Sequence, residues 1–428
     1  MNRPGEQATS DAPPLAIDAG RLWQRVQALA RYTEPQRPWT RRAFGELHAR
    51  SRQWLREQMV QAGLSVTLDA AGNLIGRRAG RQPALPPLMT GSHCDTVVEG
   101  GRFDGIIGVL AGIEIAHALN EQGRQLEHPL EVVDFLSEEP SDYGISCVGS
   151  RGMAGVLTPD MLACARPDGE TLAQGLARCG GDPSQLPAAA RAPGSIAAFV
   201  ELHIEQGPVL EQRGIPIGVV SHIVGIRRVA LAVQGRPDHA GTTPMTLRRD
   251  ALVAAARIID GTYTLAGELS GQPHYVVATV GRIEAAPNVP NAVPGHVELV
   301  LEIRSDDDGV LETFPDRLLQ RVQAGVAATG STVSRRELSR SSPTACDARV
   351  MRAVQAGAQK LGYEHLVLPS GAGHDAAYLA RLGPAGMVFV PCLQGRSHCP
   401  EESITPAQLH DGTRVLAQAL LELDAAGR

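Results

Sequence analysis

Apolar and polar positions change period along this chain, and each change marks an element. From 44 to 63 (FGELHARSRQWLREQMVQAG) the apolar residues read as helical and the run stops at a glycine. LSVTLDAAGNLIG follows and reads as strand. PPLMTGSHCDTV reads as a buried strand running into a polar loop. From 104 to 119 the residues Ile106, Ile107, Leu110, Ile113 and Ala116 share a broad apolar face, which predicts a helix. LEVVDFLSEE, AAFVELHIEQG and PAGMVFVPC read as three more strands, the first delivering two glutamates at its C-terminal end. Strands alternating with helices, with polar residues gathered at strand ends, predict an α/β sheet with a site along one edge.

The middle has a different order. From about 221 to 337 the pattern gives a strand (RRVALAVQG), a loop (RPDHAGTTPM), a helix (RRDALVAAARIID) and two strands (HYVVATVGRIEA and HVELVLEIRS). A second helix (ETFPDRLLQRVQAGVAA) and a last strand (STVSRREL) complete it. That β-α-β-β-α-β order suits a compact two-layer α+β insert. The polar clusters lie in the flanking segments. The expected organisation is therefore a loose tail over 1–20, a discontinuous catalytic domain over 21–220 and 338–428, and an inserted domain over 221–337.

Composition narrows the classes. With 428 residues the chain can build two cores. A net charge of −6 without clustered Lys and Arg argues against a nucleic-acid partner. No apolar run reaches bilayer length, so no membrane span is expected. The first twenty residues are polar and lack the apolar segment of a secretory signal. Seven cysteines, an odd number with no CxxC spacing, read as free thiols in a reducing cytoplasmic compartment.

The polar clusters carry the chemistry. His93 and Asp95 (GSHCDTV) stand two apart at a strand end and face the same side. A carboxylate there can fix an imidazole tautomer, or the pair can be a polar turn. Asp104 (GGRFDG) opens a helix and is either an N-cap or a carboxylate that bridges two cations. Glu138 and Glu139 (DFLSEEP) can divide into a metal ligand and a general base, or form a solvated turn. His203 (ELHIEQG) has apolar neighbours, and His398 (RSHCPEE) lies in a loop after a strand. His374 (SGAGHDA) looks similar but has no ligand slot. Together, three histidines, a lone aspartate and a glutamate pair suffice for two divalent metals and a base that activate water. Mixed imidazole and carboxylate ligands suit zinc, manganese, cobalt or nickel alike.

These segments resemble the M20 metallopeptidase superfamily and, more narrowly, its hydantoinase/carbamoylase amidases. The runs that carry the resemblance include DAAGNLIGR, VGSRGMAG, ELHIEQGPVLE, GRPDHAGTTPM, PNVPNAVPG with EIR, GAGHDA and GRSHCPEE, from about residue 70 to 402. The resemblance implies a mixed, mainly parallel sheet and an inserted lid that also makes a homodimer interface. It implies one metal on His93, His203 and a bridging Asp104, and another on Asp104, Glu139 and His398. Glu138 would be the general base and Asp95 would orient His93. His239 would stabilise the oxyanion, and Gln206, Asn291 and Arg304 would hold the substrate. The implied reaction is hydrolysis of the carbamoyl C–N bond of an N-carbamoyl-L-amino acid to ammonia, carbon dioxide and the amino acid. Allantoate or another ureido acid is the first alternative, an aminoacylase or dipeptidase the second, and a non-catalytic binding dimer the remote one. One departure stands out: many members continue the glutamate pair as EEGSRF, whereas this chain has EEPSDYG. It bears on the substrate more than on the reaction class.

Overall fold

A strand buried on both faces must be apolar along most of its length, and four segments of this chain are. In the computed structural model, which describes residues 13–271 and 273–426, they form the centre of a sheet. Along the chain come β1 (Ser65–Leu68), β2 (Leu74–Arg78), β3 (Leu88–His93), β4 (Leu130–Phe135), β5 (Ala198–Ile204) and β6 (Ile217–Ile223). Next are β7 (Gly225–Gln234), β8 (Asp238–His239), β9 (Val276–Ala286), β10 (Ala292–Val293), β11 (His296–Ser305), β12 (Thr332–Ser341) and β13 (Thr344–Ala345). The last two strands are β14 (His365–Ser370) and β15 (Ala385–Val390), and the helix Pro406–Ala425 follows them. Two units result. The first takes the described residues up to 221, 346–368 and those from 374 on; the second takes 222–345 and 369–373.

In the first unit the strand order is β1-β2-β4-β3-β5-β15-β6. The four central strands β4, β3, β5 and β15 run parallel, and antiparallel pairings flank them. Register sets the site. His93 pairs with Phe135 across β3 and β4, and His203 with Phe389 across β5 and β15. Leu88 pairs with Ala198, so continuing that register brings His93 level with His203. The helix Ile106–Glu121 is buried on nearly all sides in the core against these strands. Beside it Arg52 bonds Asp134 at 2.7 Å, and Asp134 is fully buried. Arg52→Met would strand that carboxylate, so unfolding in urea is expected to lose about 3–5 kcal/mol. An unchanged unfolding free energy would contradict this.

The second unit holds a four-stranded antiparallel sheet in the order β12-β7-β11-β9. β7 and β11 alternate buried and half-buried positions, and their inward residues, such as Leu231 and Leu299, share a core with two helices. These are Ala251–Leu269 and Asp308–Ala327, each capped by the aspartate before it.

Three details differ from the sequence reading. Residues 1–12 of the expected tail lie outside the described residues, while Leu15 is buried and Asp18 caps the helix Ala19–Leu29. The strand read as STVSRREL, β12, runs to Ser341, beyond the boundary at 337, and the second unit itself continues to 345. The strand before the glutamates stops at Phe135, because Ser137 takes a left-handed φ of 54° and turns the chain.

Candidate metal centre

Two imidazoles come from strands. His93 ends β3 and His203 lies one residue from the end of β5. Asp104 arrives from the turn before the helix Ile106–Glu121. It is not the cap of that helix: Gly105 is, with no side-chain cap bond, which frees the Asp104 carboxylate. Gly105 has φ 68°, and a Cβ on it would lie 2.3 Å from His93 Nε2, so only glycine lets this turn pass the ring.

The side chains converge. Asp104 Oδ1 is 3.0 Å from His203 Nε2, and its Oδ2 is 3.0 Å from His398 Nε2. Glu139 Oε1 is also 3.0 Å from His398 Nε2. Ligand atoms of His93, Asp104 and His203 lie within 4.8 Å of one another, and those of Asp104, Glu139 and His398 do the same. Asp104 belongs to both groups, each oxygen turned to a different imidazole. A third group of that closeness joins His203 to Glu201 and His374. There Glu201 accepts the Ser92 hydroxyl at 2.6 Å and the Ala376 N–H at 3.2 Å, and His374 packs edge-on against His203.

Glu138 stands beside both groups and belongs to neither. One carboxylate oxygen accepts the Cys147 thiol at 3.2 Å; the other is 3.7 Å from His93 Nε2. The Asp95 carboxylate accepts the backbone N–H groups of Glu138 and Glu139 at 3.3 and 3.1 Å. Asp95 meets His93 through its own carbonyl, 3.0 Å from Nδ1, while its carboxylate stays 3.7 Å away. Asp95 therefore orients the glutamate turn as much as the imidazole.

The titratable groups of the cluster shift one another. Burial, then the neighbouring Glu139, Asp375 and Asp95 carboxylates, push Glu138 well above the usual carboxylate range. Burial opposes ionisation of Asp104, but His203 and His398 outweigh it and hold Asp104 low. Burial pulls His93 down to about 4, its neutral ligand form. Burial also works against charge on His203, yet Asp104 and Glu201 raise it to about 9. Asp104 and Glu139 push His398 up to about 11. Among the described residues only histidines pair with Asp104, Glu138 and Glu139; no Arg or Lys does. A set of imidazoles and carboxylates, buried except for the exposed His398 and holding no Arg or Lys, fits divalent metal ions.

The backbone is strained where it serves this cluster. Ser137, Cys147, Gln206 and His398 all take left-handed φ between 53° and 57°. The Gln206 amide nitrogen lies 3.2 Å from Asp104 Oδ2 and 3.4 Å from His398 Nε2, so this residue touches two of the candidate ligands. The EEPSDYG departure turns away from them. Asp142 pairs with Arg42 at 2.7 Å, and Tyr143 packs on Phe44 in a separate small core and bonds Glu170 at 2.6 Å. Sequence reasoning missed Cys147, Glu201, Ser397 and Glu402. Glu201 stands two residues before His203, the spacing already noted at His93 and Asp95, and Ser397 and Glu402 lie in the GRSHCPEE run, whereas Cys147 carries no such signal.

In the second unit His239 and Asn291 are neighbours. β8 pairs with β10, His239 opposite Ala292, and the Ala240 N–H bonds the Asn291 carbonyl at 3.0 Å. His239 Nδ1 accepts the N–H groups of Gly241 and Thr242 at 3.0 and 3.2 Å. That leaves the proton of the neutral ring on Nε2, which is exposed as a donor. Arg304 is engaged by Glu302 at 2.8 Å and by the Gly371 carbonyl at 2.7 Å.

A sheet with clustered imidazoles and carboxylates at its edge, and a free glutamate beside them, defines a metal-dependent hydrolase. Residues 89–422 match peptidase family M20/M25/M40, and the chain belongs to this family. It is 39% identical to the N-carbamoyl-L-amino acid amidohydrolase of Geobacillus stearothermophilus, over 95% of this chain and 99% of that one. It is 33% identical to the ureidoglycolate hydrolase of Arabidopsis thaliana, over 99% of this chain and 90% of that one. A solved amidase of the hydantoinase/carbamoylase family from Burkholderia multivorans superposes with a TM-score of 0.89 at 37% identity, covering 96% of this chain and 99% of that one.

Proposed function

We propose that this enzyme hydrolyses the carbamoyl C–N bond of an N-carbamoyl-L-amino acid, using two divalent cations. His93, Asp104 and His203 would hold one, and Asp104, Glu139 and His398 the other. The observation that carries the reading is the Asp104 carboxylate, shared between two ligand groups with Glu138 left free beside them. Bound cations would polarise the ureido carbonyl and acidify water. Zinc, manganese, cobalt and nickel all suit this donor set.

The chain's own groups do the rest. Glu138 takes a proton from the attacking water and passes it to the leaving nitrogen. His239 offers its Nε2–H to the developing oxyanion. Asn291 and Gln206 orient the ureido group. Arg304 exchanges its Glu302 partner for the substrate carboxylate, which its fork can grip through two parallel bonds. Arg304→Ala is then expected to raise KM about 10- to 100-fold for carboxylate-bearing substrates. An unchanged KM would remove Arg304 from the binding set.

The deciding experiment is a substrate panel read as ammonia release, on chelator-stripped protein reloaded with each metal. N-carbamoyl amino acids are expected to turn over faster than allantoate or ureidoglycolate. The reverse order would select the ureido-acid reading, which relatives such as the allantoate amidohydrolase of Bacillus subtilis, 36% identical, favour as a second choice. Amide cleavage without ammonia would select an aminoacylase or dipeptidase. A stripped protein as active as the reloaded one would exclude metal chemistry.

The working form we propose is a cytoplasmic homodimer joined through the second unit. The helix Ala251–Leu269 exposes Leu252, Ile259 and Tyr263 on one stripe, and β9, an edge strand, exposes Val277 and Ile283. An Ile259→Asp, Tyr263→Asp variant is expected to sediment as a monomer where the parent sediments as a dimer. A monomeric parent would refute this. All seven cysteines are free thiols, in keeping with a reducing compartment, and no described helix is long and apolar enough to cross a membrane.

A further inference from the structure

One buried carboxylate near the ligands has no part in the reaction described. Glu402 is 1% exposed, four residues after His398. Its Oε1 accepts the backbone N–H of Phe103 at 2.8 Å and of Asp104 at 3.1 Å. Its Oε2 accepts the Ser397 hydroxyl at 2.8 Å. Gly101, at φ 116°, lies against it so closely that a Cβ there would fall 2.3 Å from the carboxylate. One side chain thus bridges two irregular segments almost three hundred residues apart in sequence. One segment presents Asp104 and the other, through Ser397, presents His398. The ends of those two side chains are 3.0 Å apart.

Neither segment has regular structure to fix it. Asp104 precedes its helix, and His398 has a left-handed φ of 54°. Two flexible turns brought together only by a cation would have to be ordered at the moment of binding, at the expense of affinity. We propose that Glu402 is a positioning residue for the metal centre, tying the Asp104 turn to the His398 loop so that the two ligands are set before a cation arrives. This rests on the reading of Asp104 and His398 as ligands of one cation. The tie works through acceptor geometry. A glutamine keeps one oxygen for the two N–H groups and an amide for the Ser397 oxygen, whereas alanine keeps neither.

Cobalt(II) titration of metal-free full-length protein, followed by calorimetry and by the visible cobalt bands, tests this without turnover. Glu402→Ala is expected to raise the Kd of the cobalt held by Asp104 and His398 about 10- to 100-fold and to alter its bands. Ser397→Ala, which cuts one end of the tie, is expected to raise that Kd less. Glu402→Gln is expected to stay close to the parent in both affinity and spectrum. Parental affinity and bands in Glu402→Ala would overturn the proposal, as would a Glu402→Gln variant as weak as the alanine. If Glu402→Ala does not fold, parental affinity in Ser397→Ala would overturn it. A parent that binds no cobalt would instead refute the metal site itself.

Discussion

Glu138→Gln is expected to keep its cations and to lose about 10²- to 10⁴-fold in kcat. The substitution changes one atom. Glutamine still offers an oxygen to the Cys147 thiol, which the native carboxylate accepts at 3.2 Å. The Glu138 N–H still reaches Asp95, so the turn keeps its shape. Glu138 belongs to neither ligand group, so metal content should match the parent. What disappears is a basic oxygen at the edge of the cluster, and an amide cannot hold the water's proton. Saturating turnover by ammonia release, with metal content measured on the same preparation, separates the two effects. Parental turnover would remove Glu138 as the base. A fall in metal content matching the fall in rate would make it a ligand.

Asp104→Ala is expected to cost both cations and, with them, all turnover above background. Asp104 is the one side chain common to the two ligand groups. Its Oδ1 faces His203 and its Oδ2 faces His398, each at 3.0 Å. His93 alone can be replaced at the expense of one group; Asp104 cannot. The loop should survive, because the bond from the Asp104 backbone N–H to Glu402 does not use the side chain. Metal analysis after gel filtration reads the loss, and thermal unfolding of the metal-free protein checks the fold. A variant retaining the parental metal content would show that Asp104 is not a shared ligand.

The fold was legible where periodicity was strong. MVFV and AFVELHI read as strands from their β-branched and aromatic residues, and they lie in β15 and β5, two of the four central parallel strands. The β-α-β-β-α-β order of the middle region reads directly from alternation and helical spacing, and β7 shows that alternation in its burial. The site was legible as a set of candidate residues rather than as an arrangement. His93, Asp104, Glu139, His203 and His398 do lie together, but nothing in their spacing says so, since strand order decides it. The sequence could not show the turn at Ser137, where a serine in a left-handed conformation follows what reads as one continuous strand. Nor could it separate a candidate ligand role for Asp104 from a cap role. That depends on the cap role falling to Gly105. Glu201 and Glu402 lie two and four residues from His203 and His398, but spacing alone does not reveal what a supporting carboxylate holds. Their partners are backbone N–H groups and hydroxyls that come from distant segments.

Anomalous diffraction from cobalt-loaded crystals tests the central claim most directly. Two peaks about 3.5–4 Å apart are expected per chain, with Asp104 bound to both. One should be completed by His93 and His203, the other by Glu139 and His398. A single peak, or a pair that leaves Asp104 on one metal only, would contradict the shared-carboxylate centre.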